Sequence, residues 1–149
     1  MRTRLAFAIL LACLPPAAAT PGARTWMSED AMRNAFIGKT LDGHYVGGLA
    51  WTETYLNEGR LDYRESLRKG KGHWFFRGQV FCTFYDPGQG LNGGCWRTIQ
   101  TSSNCYEFYD AYVSPSEKQE DAAPGPLDGW LARGWRNNEP STCEDRPSA

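Results

Sequence analysis

The sequence has no Cys-x-x-Cys pair anywhere, and it holds histidine at only two positions, His44 and His73. The first absence removes the thioredoxin-type redox motif and the knuckle-type zinc site. Without Cys-x-x-Cys-His there is no attachment point for c-type haem. The two histidines lie in separate segments and form no His-x-x-x-His, so no metal-ligand spacing is present. A Gly-x-Ser-x-Gly elbow, a phosphate-binding loop and a dinucleotide fingerprint are all missing. No cofactor and no metal are expected.

Charge of one sign is also scarce. Sixteen basic and seventeen acidic residues nearly cancel, which makes nucleic acid an unsuitable partner. The one dense basic group, Arg68-Lys69-Gly70-Lys71, reads as a solvated loop tip. No apolar run approaches the about 20 residues of a membrane-spanning helix. The longest, from Leu5 to Leu14, follows Arg2 and Arg4 and precedes Ala17-Ala18-Ala19. That arrangement predicts a signal peptide over residues 1–19 and a mature chain beginning at Thr20. Leu10-Leu11-Ala12-Cys13 offers the alternative of a lipobox, with the protein anchored at Cys13. Both routes export the protein, to the periplasm or the medium, as one small domain of roughly 130 residues.

What the exported part does contain is four cysteines, Cys82, Cys95, Cys105 and Cys143. An even number in a small exported domain points to disulfide staples. If Tyr85 pairs with Asn92 across the glycine-rich turn 86–94, Cys82 falls opposite Cys95, within closing distance. Cys105 cannot easily bond to Cys95 across the turn Thr101-Ser102-Ser103-Asn104, which leaves it for Cys143.

One helix is expected in the N-terminal segment 20–36. Ser28 is its N-cap, Glu29 and Asp30 suit its positive end, and Gly38 stops it after Phe36. Met27 and Met32 take the positions of a hydrophobic staple. From Lys39 the apolar period changes to two. Leu41, Gly43 and Tyr45, then Trp51, Glu53 and Tyr55, then Leu61, Tyr63 and Glu65 alternate with polar neighbours. Asn57-Glu58-Gly59 predicts a turn that sets Tyr55 against Leu61 and Glu53 against Tyr63. Arg77-Gly78-Gln79 predicts a second, which sets Phe76 against Val80 and Trp74 against Cys82, with Phe84 on the same face. Strands near 95–100 and 105–113 complete the pattern. The fold class is all-β, a small antiparallel meander barrel of about seven strands over 37–113 after one short helix, with a two-sheet sandwich as the alternative. Residues 114–126 read as a linker, and 127–149 as a C-terminal segment tethered by the second disulfide, of which 127–135 forms a short helix or strand.

On the faces so assigned, Glu53, Glu65, Arg97 and Asp110 interrupt an otherwise apolar surface. Charges there pair, sit at a rim or meet a ligand. With Trp51, Tyr55, Tyr63, Trp74 and Phe76 they outline an aromatic-walled pocket. The expected ligand-binding set is Trp51, Glu53, Tyr55, Tyr63, Trp74, Phe76 and Arg97, and Arg97, as the only cation, is expected to meet an anionic group. Glu53 and Glu65 also form a pair of carboxylates of the kind glycosidases use, a weak signal in any chain. No catalytic residues are assigned.

The run from GKTLDGHYVGG through GHWFFRGQVFC to NCYEFY resembles, over roughly residues 37–109, small exported bacterial domains of unknown function with a lipocalin- or avidin-like barrel. The early Gly-x-x-Leu strand, the Asn-x-Gly turn and Gly72-His73-Trp74 before a hairpin ending in Cys carry the likeness. In lipocalins the Gly-x-Trp lies near the start of the barrel, whereas here it lies mid-chain. The resemblance implies fold more than activity. The expected function is that of a non-enzymatic barrel binding a small molecule or a protein partner in the cell envelope. The alternatives are an interaction or inhibitor protein acting through loop 86–94, or a small hydrolase.

Overall fold

The computed structural model describes residues 25–111 and 129–143. The expected signal peptide, Cys13 and the linker 114–126 lie outside these residues. Among the described residues one α-helix, α1 (Glu29–Phe36), precedes strands β1 (Thr40–Tyr45), β2 (Ala50–Tyr55), β3 (Arg60–Glu65), β4 (Arg68–Arg77), β5 (Val80–Tyr85), β6 (Gly94–Ser102), β7 (Cys105–Asp110) and β8 (Ala132–Arg136). The strands follow one another in chain order, and β8 pairs antiparallel with both β7 and β1, so the barrel is closed. Closure removes every sheet edge. The eighth strand comes from the C-terminal segment, so the barrel does not end at residue 113. Its ARGWR sequence carries too short an alternation to separate strand from helix in advance.

The helix forms where its caps direct. The Ser28 side chain accepts a hydrogen bond from the Ala31 amide at 3.2 Å, and Gly38 takes a positive φ of 72° just past the last turn. Met27, Met32 and Phe36 are buried. Phe36 lies 5.1 Å from the Tyr106 ring, 5.6 Å from Phe81 and 6.1 Å from Tyr55. Tyr106 and Phe81 start their strands and Tyr55 ends its own, so α1 stoppers that end of the barrel. Ahead of it, the Met27 amide bonds to the Thr98 carbonyl at 2.9 Å.

The β2–β3 register is the expected one, with Tyr55 facing Leu61 and Glu53 facing Tyr63. Its turn differs in detail, because Glu58 as well as Gly59 has a positive φ. Three other expectations need correction. The β4–β5 turn is Gly78-Gln79, which sets Arg77 against Val80, Phe76 against Phe81 and Trp74 against Thr83. Cys82 and Phe84 therefore lie on the outer face, opposite in sense to Trp74. The basic group 68–71 is not a loop tip but the start of β4: Gly70 is buried while Arg68, Lys69 and Lys71 are exposed, the alternation of a half-buried strand. The turn after β6 is shorter than expected, because that strand runs on to Ser102 and places Ser102 opposite Cys105.

Both disulfides are those expected, Cys82–Cys95 and Cys105–Cys143. The first joins facing residues of β5 and β6. The second fastens the tail beside β8, where the fully buried Asn104 amide serves as a second clasp. Its nitrogen donates to the carbonyls of Arg136, Glu139 and Pro140, and its oxygen accepts from the Arg136 amide at 2.8 Å. Two staples of this kind fit an oxidising compartment. No described helix is long and apolar enough to cross a membrane.

Candidate functional site

An eight-stranded barrel is just wide enough to be filled by side chains or to hold one small ligand. Here the two ends differ. The end stoppered by α1 is packed, with Trp74, Phe76 and Phe81 in mutual contact. Toward the other end the packing leaves a cavity of about 300 Å³ that opens to solvent.

Its walls are aromatic and aliphatic. Trp51 comes from β2, Trp96 from β6 and Phe108 from β7, with Val46, Leu131 and Ala132 at the mouth. Trp51 is seated by two glycines on adjacent strands. A Cβ added at Gly43 of β1 would stand 2.3 Å from the Trp51 Cζ2, and one at Gly134 of β8 would stand 2.8 Å from its Cη2. The indole therefore lies flat across both backbones and turns its edge toward Phe108 at 6.1 Å. Its Nε1 is buried and has no hydrogen-bond partner among the described residues. Trp96 is held by its own Nε1, which donates to the Thr83 hydroxyl at 3.2 Å.

The polar part of the cavity is one carboxyl group with its tyrosines. Glu53, 6 % exposed, accepts hydrogen bonds from the Tyr55 hydroxyl and from the Tyr85 hydroxyl, the latter at 2.5 Å. Beside it, Tyr63 donates to Glu65 at 2.5 Å and shares a 3.1 Å hydrogen bond with Tyr45. The Tyr63 and Tyr85 rings, 4.9 Å apart, join the two groups. Burial raises the Glu53 pKa above the usual carboxylate value, and the two tyrosine hydrogen bonds only partly oppose it. Burial, and then the neighbouring Glu53, push the Tyr55 and Tyr85 hydroxyls well above their ordinary value, so both stay protonated donors. No described ion pair includes Glu53.

Of the seven residues expected to bind a ligand, Trp51, Glu53 and Tyr55 line this cavity. Tyr63 stands behind it and orients Tyr45, which also lines it. Trp74 and Phe76 belong to the packed end. There the Trp74 Nε1 donates to the Leu56 carbonyl, and the Arg33 guanidinium lies 4.5 Å from the centre of the Phe76 ring. Arg97 faces outward: its neighbours Trp96 and Thr98 point in, and its guanidinium lies 5.7 Å from the Trp26 ring on the barrel's outer surface. Asp110, opposite Trp96, is exposed. Thr83, Tyr85, Trp96 and Phe108 were not singled out from the sequence. The strand alternation would have reached Thr83, Tyr85 and Trp96 had the 77–80 turn been read as two residues. Among the described residues no cluster of His, Cys, Asp and Glu could hold a metal ion.

The loop between β5 and β6 lies beside the same end of the barrel. Gln89 is bound to the backbone of Lys71 through both its amide atoms, at 2.7 and 3.0 Å, and Leu91 covers Gly70. No family model matches this chain, and no curated protein and no solved structure matches it.

Proposed function

We propose that this protein is an exported binding barrel that takes one small, largely apolar molecule into the open end of its interior. The observation that carries the reading is the asymmetry of the two ends. One is filled by Phe36 and its aromatic neighbours, while the other keeps an aromatic-walled space with a single hydrogen-bonded carboxyl group inside it. Few, fixed polar groups in an otherwise apolar concavity are the usual composition of a small-molecule site. At about 300 Å³ the space stands at the lower end of the range for such sites, about 300–1,000 Å³. The disulfides and the expected leader suit a periplasmic or secreted protein.

The neutral dye N-phenylnaphthylamine tests the reading. Its emission is expected to rise saturably on mixing with the protein, with one site per chain. Ala132→Trp, which fills the mouth, is expected to abolish the rise while leaving a cooperative melt. A folded wild-type protein that leaves the dye's emission unchanged would rule the cavity out as a binding site.

A further inference from the structure

Resting on the cavity reading above, we propose that the ligand is a small organic cation, an amine whose N–H groups meet the Glu53 carboxylate while its apolar body lies against Trp51, Trp96 and Phe108. Three observations on charge and geometry lead there. Glu53 carries the one carboxyl group of the cavity lining, and the lining contains no lysine, arginine or histidine. A bound anion would therefore face a carboxyl group with no cation to offset it.

Next, the hydrogen bonding around Glu53 is incomplete in a way a donor would complete. A carboxylate offers about four lone-pair sites, and Tyr55 and Tyr85 occupy two of them. Both hydroxyls spend their protons on Glu53, so once the carboxyl is ionised its remaining demand is for further N–H or O–H donors rather than acceptors. The third observation concerns the walls. The faces of Trp, Tyr and Phe attract cations, and the attraction is larger where water is excluded. Trp51, Trp96, Phe108, Tyr45 and Tyr85 surround the space.

The groups facing Glu53 are Tyr55 from its own strand, Tyr63 opposite it on β3, Tyr85 from β5 and Tyr45 from β1, with Glu65 of β3 one step further. All are acidic or neutral. Burial favours the protonated carboxyl in the empty cavity, so an arriving ammonium would displace that proton to solvent and leave an ammonium–carboxylate pair. Affinity for an amine therefore rises with pH until Glu53 is ionised without help.

Phenylbutylamine, phenylbutanol and phenylbutyrate share one apolar body and differ in the charge of the head group, and calorimetric titration of the three decides the matter. The amine is expected to bind about tenfold or more tightly than the alcohol, with the acid weakest, as befits hydrogen bonds to a charged group. Its affinity is expected to increase from about pH 5 to about pH 8, while that of the alcohol stays level. Glu53→Gln should bring the amine down to the alcohol. Should that variant fail to fold, the wild-type ranking and its pH trend decide alone. Equal binding of amine and alcohol, or tightest binding of the acid, overturns the cation assignment and leaves the cavity reading intact. If none of the three binds and the neutral dye is also silent, the cavity reading falls, and this inference with it.

Discussion

Tyr85 donates its hydroxyl to Glu53 at 2.5 Å, from the fifth strand to the second, across the interior of the barrel rather than along its sheet. With Tyr55 donating from the same strand as Glu53, one carboxyl group is clamped from two sides in a space whose walls are mainly aromatic and aliphatic. Such a group stabilises the fold only as far as its partners offset its burial.

The pH dependence of stability follows. Burial raises the Glu53 pKa above its ordinary value of 4.5, so the folded chain retains a proton that the unfolded chain has released. The stability this contributes is complete below the unfolded value and is lost as pH rises through the folded one. Wild-type protein is therefore expected to lose stability relative to Glu53→Gln as pH climbs from about 4 to about 8. Urea unfolding of both proteins at matched pH measures this. A difference that stays constant across the range would mean that Glu53 has its ordinary pKa in the fold.

How much of this was legible in the sequence depends on one turn. The period-two runs, the capped helix and the pairing of Cys82 with Cys95 could all be read from spacing, because each rests on local geometry. Reading three residues in the β4–β5 turn instead of two moved Trp74 from Thr83 to Cys82. A one-residue slip exchanges the two faces of a strand. Because the β5–β6 pairing was right, the error passed on to β6 and turned Arg97 inward in place of Trp96. Nothing local distinguishes Gly78-Gln79 from Arg77-Gly78-Gln79. The choice is made by burial of Phe81, which only the assembled core with Phe36 and Tyr55 can supply. β8 was hidden for a related reason, since its five residues become a strand by pairing with β1 and β7.

The two disulfides should differ in worth. They close sequence separations of 13 and 38 residues, for which chain entropy gives about 3 and about 4 kcal/mol. Replacing Cys105 and Cys143 by Ser is expected to cost more than replacing Cys82 and Cys95, and by more than entropy alone, because the tail segment that Asn104 clasps loses its anchor. Paired denaturation curves read the order. A difference of only about 1 kcal/mol, the entropic part alone, would show that the Asn104 clasp holds the tail unaided.

Arg97→Ala is expected to leave ligand affinity unchanged and to lower stability by about 0.5–1 kcal/mol, the scale of an exposed cation–π contact. Its guanidinium lies over Trp26 on the outside of the barrel, away from the cavity. Dye titration and thermal melting of the same sample separate the two effects. A loss of affinity without a loss of stability would place Arg97 at the site after all.

Gly43→Ala tests the seat of the cavity wall from its far side. The added methyl would stand 2.3 Å from the Trp51 ring and 2.4 Å from the Arg133 carbonyl. Relief of both contacts requires the paired β1 and β8 backbones to part as well as the indole to move, and the displaced indole is pushed toward the cavity it lines. Overpacking of this kind costs about 1–3 kcal/mol. The expected outcome is a lower melting temperature, an altered tryptophan emission and a loss of dye binding larger than the loss of stability explains. Gly47→Ala is the control, because an added Cβ there meets nothing within 4 Å. If Gly43→Ala binds the dye as well as Gly47→Ala does, Trp51 is not the wall against which the ligand lies.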